Sequence, residues 1–444
     1  MAAILTVEQI LALAPDVGAA KAGQGLANKA KWVTLGCSDG AAWGECSGSA
    51  GTPYQTRIDL SGPAFKCSCP SRKFPCKHGL GLYLLLANQP GVFPQGEPPA
   101  WVAAWLAGRA KREEKKVAAP EAEPKPVDEK AQAKRAAKRQ DNVTHGLEEL
   151  DRWLCDLVRQ GLGAARAQPR SFWENTAKRM VDAQASGIAR LVRQMADIPS
   201  SGEGWQERLL ERLGRLHLLL ERYKRIDTLP EPARADLRAL IGFTQSQEEL
   251  LAGEGIADRW VVLGQRVQRE DRLRVQRTWL WGVNTKRAAL ILQYAAGKEV
   301  IQSLLISGTR LDAEVVFYPG AYPLRALIKT QQTPESMPPA SAAYATVAEA
   351  YKAYAGALTR YSWLEQFPMA LEAVYPVQRE GRWIVRDEAG YLLPVAPDFK
   401  FPWELLAFSG GHPVSLFGEW DGDHLMPLGV WTKERFVPLT AIED

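Results

Sequence analysis

The sequence predicts an α+β multidomain chain: a small cysteine-rich ββα-type module, then a helical bundle, then a mainly-β C-terminal domain. Three observations carry this reading. The 444-residue length exceeds what one ordinary core supports. The hydrophobic periodicity turns helical near residue 146 and strand-like near residue 254. A charged stretch without aromatics separates the first module from the rest. The composition, 46% hydrophobic and 24% charged, is that of a globular chain, and no run approaches the ~20 apolar residues of a membrane span. A formal net charge of +4 is too near balance to imply a polyanionic partner.

The opening "MAAILTVEQILALAPD" reads as an amphipathic helix capped at Thr6 rather than a secretory signal, because it lacks a positively charged start. With six cysteines in a long chain, a reducing cytoplasm is expected rather than a disulfide framework. "KWVTLGCSDGAAWGEC" and "PYQTRIDL" then read as a small antiparallel sheet, and "GLGLYLLLANQPG" as a short buried helix stopped by Pro90 and Gly91. Residues 1–108 form one module. Residues 109–145 read as a charged flexible linker, with prolines in its middle. Limited proteolysis of the intact protein is therefore expected to cut first between Arg109 and Gln140, as mass analysis of the digest would show; first cuts inside residues 54–89 would refute this division.

From 146 to 253, segments such as "WQERLLERLGRLHLLLERYKRI" repeat apolar residues every three or four positions and read as a helical domain. His217 falls in that pattern and is expected in its core, as is Cys155. From 254 to 444, "DRWVVLGQRVQREDRLRVQRTWLWGV", "RAALILQYA" and "LDAEVVFYPG" are strand-like, "TVAEAYKAYAGALTRYSWLEQFPMALEAV" is a helical insertion, and short strands follow, as a partly open barrel or a sandwich. Trp279 and Trp281 share one strand face and are read as core rather than as a stacking platform.

The densest chemistry is "CSCPSRKFPCKH". If Cys67 and Cys69 lie on a strand, both sulfurs point to one face, and the six-residue loop "PSRKFP" can fold back to bring Cys76 and His78 to the same ion. Three thiolates and an imidazole are a tetrahedral zinc set with no open position, which makes the zinc structural rather than catalytic. This Cys-x-Cys, six-residue gap, Cys-x-His pattern, with "YQTRIDLSGP" before it and "GLGLYLLL" after it, resembles the SWIM zinc-finger family over about residues 54–89, and "WGECSGSAGTPY" is similar to its bacterial members. The resemblance implies one bound zinc and roles in protein interaction or DNA binding. It also implies, by gene neighbourhood, AAA+ ATPases or von Willebrand type A proteins as partners.

Lys66, Arg72, Lys73 and Lys77 crowd the same stretch. They are open to two readings, as phosphate contacts for nucleic acid or as counter-charges to an anionic zinc site. Cys37 and Cys46 flank the turn at Asp39-Gly40 and are read as small strand residues rather than a redox pair across a hairpin. His412 and His424, beside Asp421 and Asp423, are read as turn residues. No P-loop, dinucleotide fingerprint, Gly-x-Ser-x-Gly elbow or His-Glu-x-x-His occurs, so no catalytic residue is assigned and the chain is expected to be non-enzymatic. The expected function is that of a zinc-binding scaffold or adaptor for other proteins, with a DNA-binding accessory factor as the alternative.

Overall fold

The computed structural model describes residues 5, 7–11, 13–15, 17–47, 51–61, 64–71, 73–117, 129–270, 273–296, 301, 305–332, 334–336, 343–432 and 436–439. Thr6 and Arg72, singled out above, lie outside the described residues, as do 118–128 of the expected linker. The architecture is α+β and multidomain, as the periodicity implies.

Two short helices, α1 (Val7–Leu11) and α2 (Val17–Gln24), precede a four-stranded antiparallel sheet of β1 (Trp32–Cys37), β2 (Ala41–Cys46), β3 (Tyr54–Asp59) and β4 (Ala64–Cys67), paired in that order. Helix α3 (Lys77–Asn88) covers one face and α4 (Ala100–Val117) the other. Strand alternation explains both contacts. Ala42, Cys46 and Ile58 join the α3 core, whereas Ala41 and Trp43 meet Val102 of α4. On the α4 side Arg57 lies over the rings of Trp101 and Trp105, and Arg109 pairs with Asp59 at 2.9 Å. Helix α2 crosses α3 closely because both carry glycine at the contact: a Cβ on Gly81 would meet Leu26 Cβ at 2.6 Å, and one on Gly23 would meet Leu80 Cβ at 2.8 Å. The module is not isolated. Gln9, buried on α1, donates from Nε2 to the Gly308 carbonyl at 3.0 Å, and Ile306 joins the α1/α3 core.

The flanks of the expected linker are helical, since α4 continues to Val117 and α5 (Glu129–Arg159) begins well before residue 145. Ala, Lys, Glu, Arg and Gln are strong helix formers, and a solvated helix has the same charged, aromatic-poor composition as a tether. Helices α6 (Leu162–Ala167), α7 (Arg170–Asp182), α8 (Ser186–Met195), α9 (Trp205–Tyr223) and α10 (Glu231–Ile241) complete the helical region around one core that includes Trp173, Ile188, Leu216 and Leu220, while α11 (Gln247–Ala252) lies outside that core and leads into the β region. His217 is not in that core. It is exposed, one position off the stripe of Leu213, Leu216 and Leu220, and its Nδ1 lies 3.2 Å from Asp151. Cys155 is half-buried and also outside the core cluster.

Strands β5 (Ile256–Glu270), β6 (Leu273–Gly282), β7 (Ala288–Ala296), β8 (Thr309–Phe317), β9 (Arg325–Gln331) and β10 (Glu335–Ser336) form a sheet ordered β10-β8-β5-β6-β7-β9, and an added β8–β9 pairing closes five of them into a ring. After α12 (Val347–Arg360), β11 (Phe367–Arg379), β12 (Arg382–Arg386), β13 (Leu392–Pro394), β14 (Val414–Trp420), β15 (Leu425–Trp431) and β16 (Phe436–Pro438) form a second sheet, ordered β13-β12-β11-β14-β15-β16, with α13 (Pro402–Ser409) beside it. The expected helical insertion is thus half strand. "FPMALEAV" carries the helix formers Met, Ala, Leu and Glu, but Phe367, Met369, Ala370, Leu371 and Val374 are buried and the segment pairs with β14, so tertiary burial overrides propensity.

The ring and the second sheet pack face to face. Gly264 permits the approach, since a Cβ there would meet Leu428 at 2.8 Å and Phe417 at 2.9 Å. Trp279 is fully buried in this interface and Trp281 packs against it, as expected of core residues. Trp279 Nε1 donates to Glu419 Oε1 at 2.6 Å, and Arg277 Nε donates to the same oxygen at 3.0 Å. Among the described residues no helix is long and apolar enough to cross a membrane.

Candidate metal centre

The centre is assembled by three elements. Strand β4 ends on Cys67, the loop after it carries Cys69, and α3 starts from Cys76, with His78 in its first turn. Cys76 is the N-cap and takes extended backbone angles (φ −74°, ψ 166°), which turns the chain from the loop into the helix. The four donor atoms of Cys67, Cys69, Cys76 and His78 lie within 4.8 Å of one another. His78 presents Nδ1, 3.8 Å from Cys67 Sγ and 4.0 Å from Cys76 Sγ. A tetrahedral zinc with bonds of about 2.3 Å to sulfur separates its ligands by about 3.8 Å, so the set matches such an ion in kind and in size.

The surroundings serve the sulfurs as anions. Thr56 Oγ1 is 3.2 Å from Cys67 Sγ, the Cys69 amide donates to it at 3.5 Å, and the nearby backbone amides of Ser71 and Gly79 favour the thiolates of Cys69 and Cys76. Without an ion, a proton shared between two thiols divides them. The hydrogen bond from Cys76, aided by His78 and Thr56, holds Cys67 far below the ordinary thiol range, while that same bond and then burial push Cys76 above it. His78 and Cys76 are buried, and the Tyr54 ring sits 5.0 Å from the imidazole. Phe65 packs edge-on against Phe74 and Tyr83, closing the site from below.

Two family models match the chain: the SWIM zinc finger over residues 63–87, and the SWIM-associated four-helix bundle domain over residues 138–241. The four clustered donors lie within the stretch that matches the SWIM zinc finger. That finger implies Zn²⁺, and the four clustered donors form a plausible single structural site for it. SWIM fingers act in interactions with proteins or with DNA, and neither matched domain is catalytic. No curated protein and no solved structure matches the chain.

The basic residues near the SWIM finger do not share one surface. Lys73 and Lys77 are exposed beside the metal loop and the start of α3. Lys66 is exposed too, but it pairs with Arg57 across β3–β4, and alternation along β4 turns it away from Cys67, toward the α4 side. Thr56 and Tyr54 were not legible as site residues. Their only signal is the alternation that aligns Tyr54, Thr56 and Ile58 on the α3 face. Cys37 and Cys46 are not opposite each other: Cys37 pairs with Ala42, and Cys46 with Trp32, at the far end of the hairpin. Both are buried and free, and burial raises both thiol pKa values. His412, His424, Asp421 and Asp423 fall at turns; Asp421 Oδ1 accepts from the amides of Asp423 (2.8 Å) and His424 (2.7 Å) between β14 and β15.

Proposed function

We propose that this chain is a non-enzymatic adaptor whose zinc, held by Cys67, Cys69, Cys76 and His78, fixes the finger as a rigid protein-binding module. When bound, the ion supplies a tetrahedral cross-link between β4, the loop and α3. The observation that carries the reading is the burial of α3, in which every residue from His78 to Leu86 is inaccessible. A helix that reads DNA must offer a free face to the groove, and this one has none along that span. AAA+ ATPases and von Willebrand type A proteins are the partner classes to test first, in the cytoplasm.

The exposed Lys73 and Lys77 favour a second reading, a DNA-binding accessory factor. Two measurements separate the readings. In a pull-down from native extract, proteins retained after nuclease treatment support the adaptor, and proteins lost with the nucleic acid oppose it. Replacing Arg72, Lys73 and Lys77 by Gln is expected to weaken zinc retention while duplex DNA affinity stays feeble throughout. A DNA-binding loop would instead give an affinity falling with salt at a log-log slope of about −0.9 per phosphate contact, abolished by the substitutions with zinc still bound.

A further inference from the structure

Helix α9 buries Leu209, Leu213, Leu216 and Leu220 in the bundle, and a different stripe of the same helix faces outward. Arg215, Leu218 and Arg222 recur at helical spacing along it, and Arg225 continues the line just past its end. With the 362–363 turn before β11 they line a cleft of about 510 Å³ that also takes in Thr228 and Leu229. Three guanidiniums line this cleft and no carboxylate does. Arg215 is engaged, with Glu211 at 3.4 Å and the Ser362 carbonyl at 3.3 Å. Arg222 lies over the Trp363 ring at 5.4 Å and its charge also acts on the half-buried Asp236 carboxyl, though neither Arg222 nor Arg225 forms an ion pair among the described residues. Leu218, one turn before Arg222 on the same helix, is 63% exposed.

We propose that this cleft docks an acidic peptide segment of a partner protein, with one apolar side chain on Leu218 and flanking carboxylates on Arg222 and Arg225. The proposal deepens the adaptor reading and rests on it. Charge complementarity selects the occupant, because guanidiniums pair with carboxylates in a forked geometry and an exposed leucine among them rewards an apolar contact. Nucleic acid fits less well. The Trp363 face is covered by Arg222 and its indole nitrogen is directed to the Arg215 carbonyl at 3.4 Å, so no free aromatic platform is offered to a base.

The test uses the full-length, zinc-loaded protein and fluorescence anisotropy with a labelled glutamate-rich peptide carrying one central leucine. Comparison probes are the same peptide with serine for leucine and a single-stranded oligonucleotide of equal charge. The leucine peptide is expected to bind more tightly than either. Arg222→Glu with Arg225→Glu should weaken it by roughly tenfold or more. Arg225→Glu alone, at an exposed position, should weaken it several-fold, which keeps the test decisive if the double variant folds poorly. Leu218→Ser should weaken the leucine peptide and leave the serine peptide unchanged. Unaltered peptide affinity in the arginine variants overturns the proposal, as does an oligonucleotide that binds more tightly than the peptide and is lost in the same variants. If the pull-down proteins are retained equally by wild type and the double variant, this site fails while the adaptor reading stands. If wild type retains none, the adaptor reading fails, and the proposal resting on it falls too.

Discussion

Cys76→Ser is expected to abolish zinc binding and to unfold the finger while the bundle and the β region stay folded. Cys76 is at once a buried donor and the N-cap residue of α3, so one substitution removes a ligand from a closed set at the point where the helix starts. Structural zinc contributes about 10–16 kcal/mol of apparent binding energy in small fingers, as much as the whole stability of a typical domain. Elemental analysis should find about one zinc per chain in wild type and far less in the variant. Hydrogen exchange should show protection lost across α3 and retained in α9. Cys46→Ser, outside the four-donor set, should keep its zinc. Full occupancy in Cys76→Ser would falsify the ligand assignment.

Glu419→Ala is expected to be the most destabilising single change in the β region. Glu419 is 2% exposed, and one of its oxygens receives both Arg277 and the Trp279 indole, while Arg266 stands 4.0 Å from the other and continues to Asp398 at 2.7 Å. Removing the carboxylate leaves the Arg277 charge buried and the indole without its acceptor, at a cost of about 3–5 kcal/mol. Glu419→Gln keeps an acceptor and should cost less. A double change, Glu419→Leu with Arg277→Met, should be milder than either single one, because no uncompensated charge remains. Urea denaturation followed by tryptophan fluorescence measures all five variants. An alanine variant within about 1 kcal/mol of wild type would mean that the pair is solvated rather than buried.

The metal centre was legible because its information is local, four donors in twelve residues closed by a loop of set length, although Cys69 lies in the loop after β4 and not, as strand alternation required, on one strand with Cys67. The fold class was legible because periodicity is also local. What the sequence hid depends on partners distant in the chain. "FPMALEAV" becomes β11 only because β14 is there to pair with it. His217 looked buried in an apolar run, yet the 3.6-residue turn places it beside the stripe rather than in it, where Asp151 meets it. Lys66 looked like a neighbour of Lys73 and Lys77, and a single step along β4 separates it from them. Glu419 sits in "VSLFGEW" with nothing nearby in sequence to announce its arginine, which comes from a different sheet 142 positions away.

The buried bond from Gln9 to Gly308 makes the polypeptide a closed circuit rather than beads on a string. The finger is fastened to the β region by α1 and joined to it again through the long covalent path of the helical region, so the link between α4 and α5 connects parts that are already held together. A nick in that link opens the circuit without releasing either piece. The fragments should co-migrate under native conditions and separate only in denaturant, and independently expressed halves have a ready interface through which to reassemble.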